Sequence, residues 1–180
     1  SLGKFANLSG GGSDLFVVSK VFTIQADGWF YAGGANVTSW PVAASYVIDN
    51  ASNYVQQPGG RDVIGAAGRS TFGHLYNYRT AGTSVGTSLT IHGNLTIKGG
   101  SNSVTFRGAT PTSGNTVHHL YGNAYVISGQ WSACDGSASG LTGIWNIDGN
   151  VTIGDPSAVG AARFGPVTYA GGTLGRRGIF

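Results

Sequence analysis

A short sequence motif occurs three times in the second half of this 180-residue chain, at residues 89–97, 119–127 and 145–153. Each copy places a Gly-Asn pair between two short runs rich in β-branched or aromatic residues, and successive pairs lie 29 and 27 residues apart. Because Gly and Asn tolerate positive φ, we interpret each pair as the tight turn of a β-hairpin. The predicted turn residues are Gly93, Asn94, Gly122, Asn123, Gly149 and Asn150.

The hairpin interpretation predicts an unusual backbone geometry at the turn glycines. We expect Gly93 and Gly149 to adopt positive φ or otherwise strained backbone geometry. Replacing either glycine by Val should then destabilise the fold by about 1–3 kcal/mol. Variants that melt like the parent protein would contradict the hairpins.

Residues that favour helices are scarce in this chain. Glu and Met are absent and only three Lys occur, whereas Val, Ile, Thr and aromatic residues are plentiful. Glycine accounts for 32 of the 180 residues, which is about two to three times its ordinary share. We therefore predict an all-β fold of short strands and glycine turns, with less than about 10% helix.

Strand patterns also occur in the first half of the chain. Residues 16–25 and 29–32 flank a turn signal at 26–28, and residues 46–48 and 53–55 flank a second turn signal. Both arrangements predict further hairpins. We expect these strands to form a β-sandwich-like module.

Glycine-rich segments suggest how the chain is divided. Residues 56–70 are interpreted as a long loop, and the Gly-rich ends at 1–15 and 171–180 as an arm and a tail. We place a boundary after the loop, so that residues 1–82 form the N-terminal module. Residues 83–180 are predicted to form a hairpin-repeat module of the β-prism or β-helix-like type.

The predicted hairpins are too small to bury both faces of their strands. Isolated hairpins are marginal in water, and few Lys are present to discourage pairing at strand edges. Cys134 is the only cysteine, so no intrachain disulfide can compensate. We therefore predict that the chain associates with copies of itself, as a homotrimer or as an open polymer.

Two short segments of the sequence resemble segments of tailed-bacteriophage tail fibres. Residues 89–99, Leu-Thr-Ile-His-Gly-Asn-Leu-Thr-Ile-Lys-Gly, resemble the shaft and tip repeats of these fibres. Residues 23–31, Thr-Ile-Gln-Ala-Asp-Gly-Trp-Phe-Tyr, are similar to the strand-turn-strand phrase of small trimeric phage knob domains. The resemblance implies a trimeric, β-structured virion appendage that touches a host surface.

Titratable residues that could carry catalysis are few and scattered. The seven carboxylates are all Asp, and several lie at predicted turns, where capping is their ordinary role. Asp135 with Asp148 or Asp155 stays open as a glycosidase pair. His118 and His119 are neighbours in a predicted strand and should point to opposite faces. We predict no enzyme activity, no catalytic residue, no metal site and no cofactor.

Aromatic residues are the candidate binding residues. In strands, Trp29 and Tyr31 share one face, and Tyr76 and Tyr78 share another. Aromatic rings anchor interfaces and stack on sugars. Packing in a core or an interface is the ordinary role of such rings, and these four residues are the candidates for contact with a glycan.

The charge and hydropathy patterns argue against two classes of partner. The net charge is +3, spread over ten cations, and no basic run is longer than Arg176-Arg177. Nucleic-acid binding normally needs a clustered basic face, so no nucleic-acid partner is expected. No apolar run approaches the about 18 residues of a membrane span, so no membrane span is expected.

Together these features favour a structural or attachment subunit of a virion surface appendage, such as a phage tail fibre, spike or tip. Its expected partners are copies of itself, other virion proteins and a host cell-surface glycan. The alternative is a subunit of an extracellular cellular filament or adhesin, assembled by strand addition through its Gly-rich ends. A polysaccharide-cleaving β-helix enzyme is a third interpretation, for which the carboxylates are few.

Overall fold

A computed structural model describes residues 4–9, 17–34, 41–57, 64–65, 69–80, 82–99, 105–109, 113–134, 140–154, 162–164 and 177–179. These residues contain no helix, and every strand pairing among them is parallel. The all-β prediction is therefore confirmed for the described residues. The strands are β1 (Lys4–Ser9), β2 (Val17–Ile24), β3 (Trp29–Gly34), β4 (Val42–Ile48), β5 (Asn53–Gln56), β6 (Thr71–Phe72), β7 (His74–Asn77), β8 (Thr83–Ser84), β9 (Thr90–Ile91), β10 (Leu95–Lys98), β11 (Thr105–Ala109), β12 (Thr116–Leu120), β13 (Ala124–Cys134), β14 (Thr142–Ile147), β15 (Val151–Ile153), β16 (Ala162–Phe164) and β17 (Arg177–Ile179).

The strands stack as successive coils of a β-solenoid. A ten-stranded sheet follows the order β1-β3-β5-β7-β10-β13-β11-β8, with β15 and β16 also paired to β13. A five-stranded sheet follows the order β17-β14-β12-β9-β6, and β2 pairs with β4. Along the chain, β9 of the second sheet is followed by β10 of the first, and β12 by β13. Each coil therefore passes from one sheet to the other, which is the β-helix-like arrangement.

The predicted hairpins are wrong. The strands that flank Gly93 and Asn94 lie in different sheets, since β9 pairs with β6 and β12 while β10 pairs with β7 and β13. The hairpins expected around residues 26–28 and 49–52 are corrected in the same way, because β2 pairs with β4 and β3 pairs with β1 and β5. The physical reason is that stacked coils give an inner strand hydrogen-bonding partners on both edges, whereas an isolated hairpin leaves two edges open.

The Gly-Asn pairs are corners at which the chain passes between sheets. The backbone N–H of Asn123 donates to Asn94 Oδ1 at 2.9 Å, and the N–H of Asn150 donates to Asn123 Oδ1 at 2.9 Å. At the first corner, the N–H of Asn94 donates to His74 Nδ1 at 3.0 Å. The two asparagine bonds join residues 29 and 27 positions apart, which is the spacing of the sequence repeat. One repeat is therefore one coil.

Close stacking, and not positive φ, explains the corner glycines. The expectation of positive φ at Gly93 and Gly149 is wrong, since the described glycines with positive φ lie elsewhere in the chain. A Cβ at Gly122 would overlap the carbonyl oxygen of Gly93, and a Cβ at Gly149 would overlap that of Gly122. The corners of successive coils thus approach too closely for any larger residue.

Inward-facing side chains of successive coils form continuous columns. Because the pairing is in register, an apolar residue of one strand lies directly on an apolar residue of the next, and each fully buried large side chain contributes about 1.5–3 kcal/mol. The core is therefore repeated coil by coil. One column lies behind the five-stranded sheet and contains Phe72, Ile91 and Leu120. Another lies behind the ten-stranded sheet and contains Phe30, Tyr54, Leu75, Leu95 and Ala124.

The ten-stranded sheet continues across the predicted module boundary at residue 82. Strand β5 pairs with β7, and β7 pairs with β10, so hydrogen bonds join the two sides of the boundary. The β-sandwich predicted within residues 1–82 is not confirmed, because β3 and β5 belong to the same sheet as β10 and β13. Part of the predicted loop, 56–70, enters the core: Ile64 is fully buried and forms a parallel bridge with Val85. Most of the predicted arm and tail lies outside the described residues.

His118 lies inside the solenoid as a neutral imidazole. It is fully buried, and its ring stacks on that of Trp145 with centroids 4.2 Å apart. The backbone N–H of Leu89 donates to Nδ1 at 3.1 Å, so Nε2 carries the proton and donates to Thr116 Oγ1 at 2.7 Å. Burial lowers the pKa of His118 to about 4, against a smaller opposing effect of its hydrogen bond with the backbone of Gly108.

We expect Gly122→Ala to lower the free energy of unfolding by on the order of 1–3 kcal/mol, because its methyl group would overlap the Gly93 carbonyl of the preceding coil. Val117→Ala is the matched control, since Val117 is 53% exposed on the adjacent strand and such surface changes stay within about 0.5 kcal/mol. Urea unfolding followed by circular dichroism measures both variants. Equal stability of the two variants would contradict the stacked corner.

Stability should also fall as the pH drops below the ordinary pKa of histidine. The unfolded chain takes up a proton at His118 near pH 6.5, whereas the folded protein takes it up only near pH 4. Between these values the unfolded state binds more protons, so the free energy of unfolding should decrease by on the order of 3 kcal/mol as the pH falls from about 7 to about 4. His118→Gln, which does not titrate, should lose less stability over this range in urea unfolding. Parallel losses in parent and variant would contradict the buried neutral imidazole.

Candidate functional site

Four aromatic side chains lie together on the outer surface of the ten-stranded sheet. The rings of Trp29 and Tyr31 are nearly parallel with centroids 5.9 Å apart, and Trp29 is also nearly parallel to Tyr76 at 5.6 Å. Tyr76 meets Tyr78 edge to face at 6.0 Å. We call Trp29, Tyr31, Tyr76 and Tyr78 the aromatic shelf. The structure thus brings together all four candidate binding residues, and their contact with a glycan stays a prediction.

The aromatic shelf covers β5, the strand between β3 and β7, because the outward side chains of β5 are small. Asn53 and Val55 of β5 lie in register between β3 and β7, yet they are only 7% and 3% exposed. They are covered because the Trp29 and Tyr76 rings, which start two strands apart, meet above them. The hydroxyl of Tyr76 also donates to Asn53 Oδ1 at 3.2 Å, which helps to hold the ring in place.

The two tyrosines at the end of the shelf are neutral phenols at physiological pH. Partial burial raises the pKa of Tyr76, and the neighbouring Tyr78 and Tyr31 hydroxyls raise it further. Partial burial also raises the pKa of Tyr78, with a smaller contribution from Tyr31. These hydroxyls therefore offer hydrogen-bond donors and acceptors without charge, which suits a polar, uncharged ligand.

A groove of about 480 Å³ adjoins the shelf. Its volume lies within the roughly 300–1,000 Å³ typical of small-molecule sites. The described lining is aromatic, aliphatic and hydroxyl-bearing. The groove is lined by residues of four neighbouring strands. They are Tyr76 on β7, Tyr78 just after β7, Thr96 on β10, Tyr125 and Ile127 on β13, and Thr152 on β15.

Sequence reasoning missed the groove residues Thr96, Tyr125 and Thr152. They occupy the same position of the three Gly-Asn repeats, two residues after each Asn. Read as hairpins, the repeats place these residues far apart. Read as stacked coils of 29 and 27 residues, they lie side by side, as the register shows. The repeat spacing was therefore the signal that could have found them.

A second outer cluster lies beside the Gly-Asn corner of the five-stranded sheet. The Tyr121 ring is nearly parallel to the rings of His92 at 5.2 Å and His119 at 4.0 Å. His119 Nε2 lies 3.1 Å from Asp148 Oδ2, and the two side chains are 37% and 54% exposed. A contact this exposed contributes at most about 1 kcal/mol. His119 faces outward while His118 is buried, so the two histidines point to opposite faces as predicted.

Each of the other residues considered for catalysis is buried, contacts a neighbouring side chain, or lies outside the described residues. Asp135 and Asp155 are outside them, which leaves Asp148, beside His119, as the described member of the glycosidase pairs. Cys134 is buried at 1% exposure. In the described part of the chain, no three His, Cys or carboxylate side chains are grouped so as to hold a metal ion. The same residues include no helix long and apolar enough to span a membrane.

No protein-family model, curated protein or solved structure matches this chain. We therefore infer its function from the aromatic shelf, the adjoining groove and the exposed apolar surfaces of the solenoid.

Proposed function

We propose that this chain is a structural and attachment subunit of a virion surface appendage, such as a phage tail fibre, spike or tip, and that its aromatic shelf binds a host cell-surface glycan. The convergence of Trp29, Tyr31, Tyr76 and Tyr78 beside a groove carries this proposal. Sugar rings present apolar C–H faces that pack on aromatic rings, and their hydroxyls bond to phenols.

The scaffold supports a mechanical role. Trp29, Tyr31 and Tyr76 lie on strands and not on loops, and β3, β5 and β7 are hydrogen-bonded to neighbours on both edges. Binding residues on such elements are held more firmly than residues on loops. A solenoid built in this way presents a fixed surface at the outside of a particle or cell, where attachment takes place.

An exposed apolar surface on β2 and β4 supports self-association. Val17 lies in register with Val42, and Val21 and Val47 lie further along the same two strands. These four valines are between 49% and 69% exposed. Exposed apolar side chains grouped on one face are typical of interaction sites, although Val21 and Val47 have Ser45 and Thr23 as register partners. We propose that copies of the chain cover this surface in a homotrimer, which other virion proteins then anchor.

The second candidate is a subunit of an extracellular filament or adhesin of a cell. Val151 and Ile153 on β15 are 38% and 47% exposed, although their register partners Ala124 and Val126 are buried. A strand from another copy, added beside β15, would cover these two side chains. Sedimentation separates the candidates: a closed trimer reaches a fixed mass as the concentration rises, whereas a filament keeps growing.

We expect Trp29→Ala to weaken the binding of a host-surface glycan about tenfold, equivalent to roughly 1.4 kcal/mol, because the ring that joins both halves of the shelf is lost. Trp29→Phe keeps a ring and should retain most of the affinity. Tyr121→Ala is the matched control, an aromatic residue 47% exposed outside the shelf. A glycan array screened with the intact assembly identifies the ligand, and calorimetry then compares the variants. Parent-like binding by Trp29→Ala, or no glycan bound on the array, would contradict the proposal.

A further inference from the structure

Aromatic residues recur at every second strand in one column of the outer surface. The pairing places Tyr31 beside Val55, Val55 beside Tyr76 and Tyr76 beside Thr96. The column then continues from Thr96 to Tyr125 and from Tyr125 to Thr152. Tyrosines therefore alternate with small β-branched residues along the solenoid. The full column is Tyr31, Val55, Tyr76, Thr96, Tyr125 and Thr152.

The alternation gives the column a defined repeat along the solenoid axis. Neighbouring strands lie about 4.8 Å apart, so successive tyrosines of the column start about 10 Å apart. In an extended β-1,4-linked polysaccharide each sugar ring is turned over relative to the one before it. The same ring face therefore returns at every second sugar, and this disaccharide length matches two strand spacings.

The groove between two tyrosines of the column has the chemistry of an uncharged sugar site. Tyr76 lies on one side and Tyr125 on the other, with Thr96 between them. Thr96 is 8% exposed and Tyr125 is 36% exposed, so the smaller residue forms a floor between projecting rings. The side chains of these residues carry hydroxyls and no formal charge.

We propose that the ligand of this surface is a linear, uncharged β-1,4-linked polysaccharide that lies along the solenoid axis. Its first, third and fifth sugars lie on Tyr31, Tyr76 and Tyr125, and its second sugar lies over Trp29, whose ring packs against both Tyr31 and Tyr76. This inference rests on the proposed function, because it specifies the glycan that the aromatic shelf binds. Three stacked contacts need five sugars, at the first, third and fifth rings. Tyr125, which lies beyond the shelf, is thereby a binding residue.

Calorimetry with cello-oligosaccharides of two to six sugars tests the inference directly. We expect affinity to rise several-fold on adding the third sugar and again on adding the fifth, with little change at the fourth and sixth. Tyr125→Ala should remove the last rise, so that the pentasaccharide binds no better than the trisaccharide. Tyr125→Phe should restore it, because the ring is kept, and Tyr121→Ala should have no effect. A smooth increase with length, or a Tyr125→Ala variant with parental affinities, would overturn the inference.

Two comparison probes separate failure of this inference from failure of the proposed function. Binding of β-1,3-linked glucose oligosaccharides or of acidic 1,4-linked galacturonate oligomers in preference to cello-oligosaccharides, with loss in Trp29→Ala, would overturn the axial ligand but retain the glycan-binding shelf. Absence of binding to these probes and to every member of a glycan array would overturn both. Circular dichroism of each variant shows whether the fold is kept, and the ring-retaining Tyr125→Phe keeps the test informative if Tyr125→Ala unfolds.

Discussion

In-register stacking of parallel strands is the interaction on which the other features of this protein depend. The backbone of an inner coil bonds to the coil before it and the coil after it, so the corners must approach as closely as the strands do. Gly122 and Gly149 meet this demand because a Cβ at either would overlap a carbonyl of the preceding corner. The side-chain oxygens of Asn94 and Asn123 then accept a hydrogen bond from the backbone N–H at the following corner.

The same register turns single residues into columns on both faces of each sheet. Inward columns such as Phe72, Ile91 and Leu120 repeat the core, and the buried His118 is tolerated because both ring nitrogens have partners. Outward columns collect the tyrosines that form the aromatic shelf and its continuation. The candidate binding surface is thus a product of stacking.

Part of this architecture was open to prediction from sequence. The scarcity of helix formers predicted the all-β class, and the Gly-Asn spacing equals the length of one coil. The pairing partners were not predictable from local signals, because a Gly-Asn between two β-prone runs looks the same at a hairpin and at a solenoid corner. Trp29 and Tyr76 were each named as candidate binding residues from the sequence. Their contact, however, depends on how β3, β5 and β7 align, and the coils that carry these strands differ in length. No repeat in that half of the chain reveals the register.

Disulfide trapping tests the parallel register most directly. In a Cys134→Ala background, Thr96→Cys combined with Tyr125→Cys should form an intrachain disulfide on mild oxidation, because these residues are register partners on neighbouring parallel strands and lie within the Cα separation that a disulfide spans. Thr90→Cys combined with Ile97→Cys, which an antiparallel hairpin around Gly93 and Asn94 would place opposite each other, should keep both thiols free. Peptide mapping and thiol titration distinguish the two. A disulfide in the second pair and none in the first would contradict the solenoid.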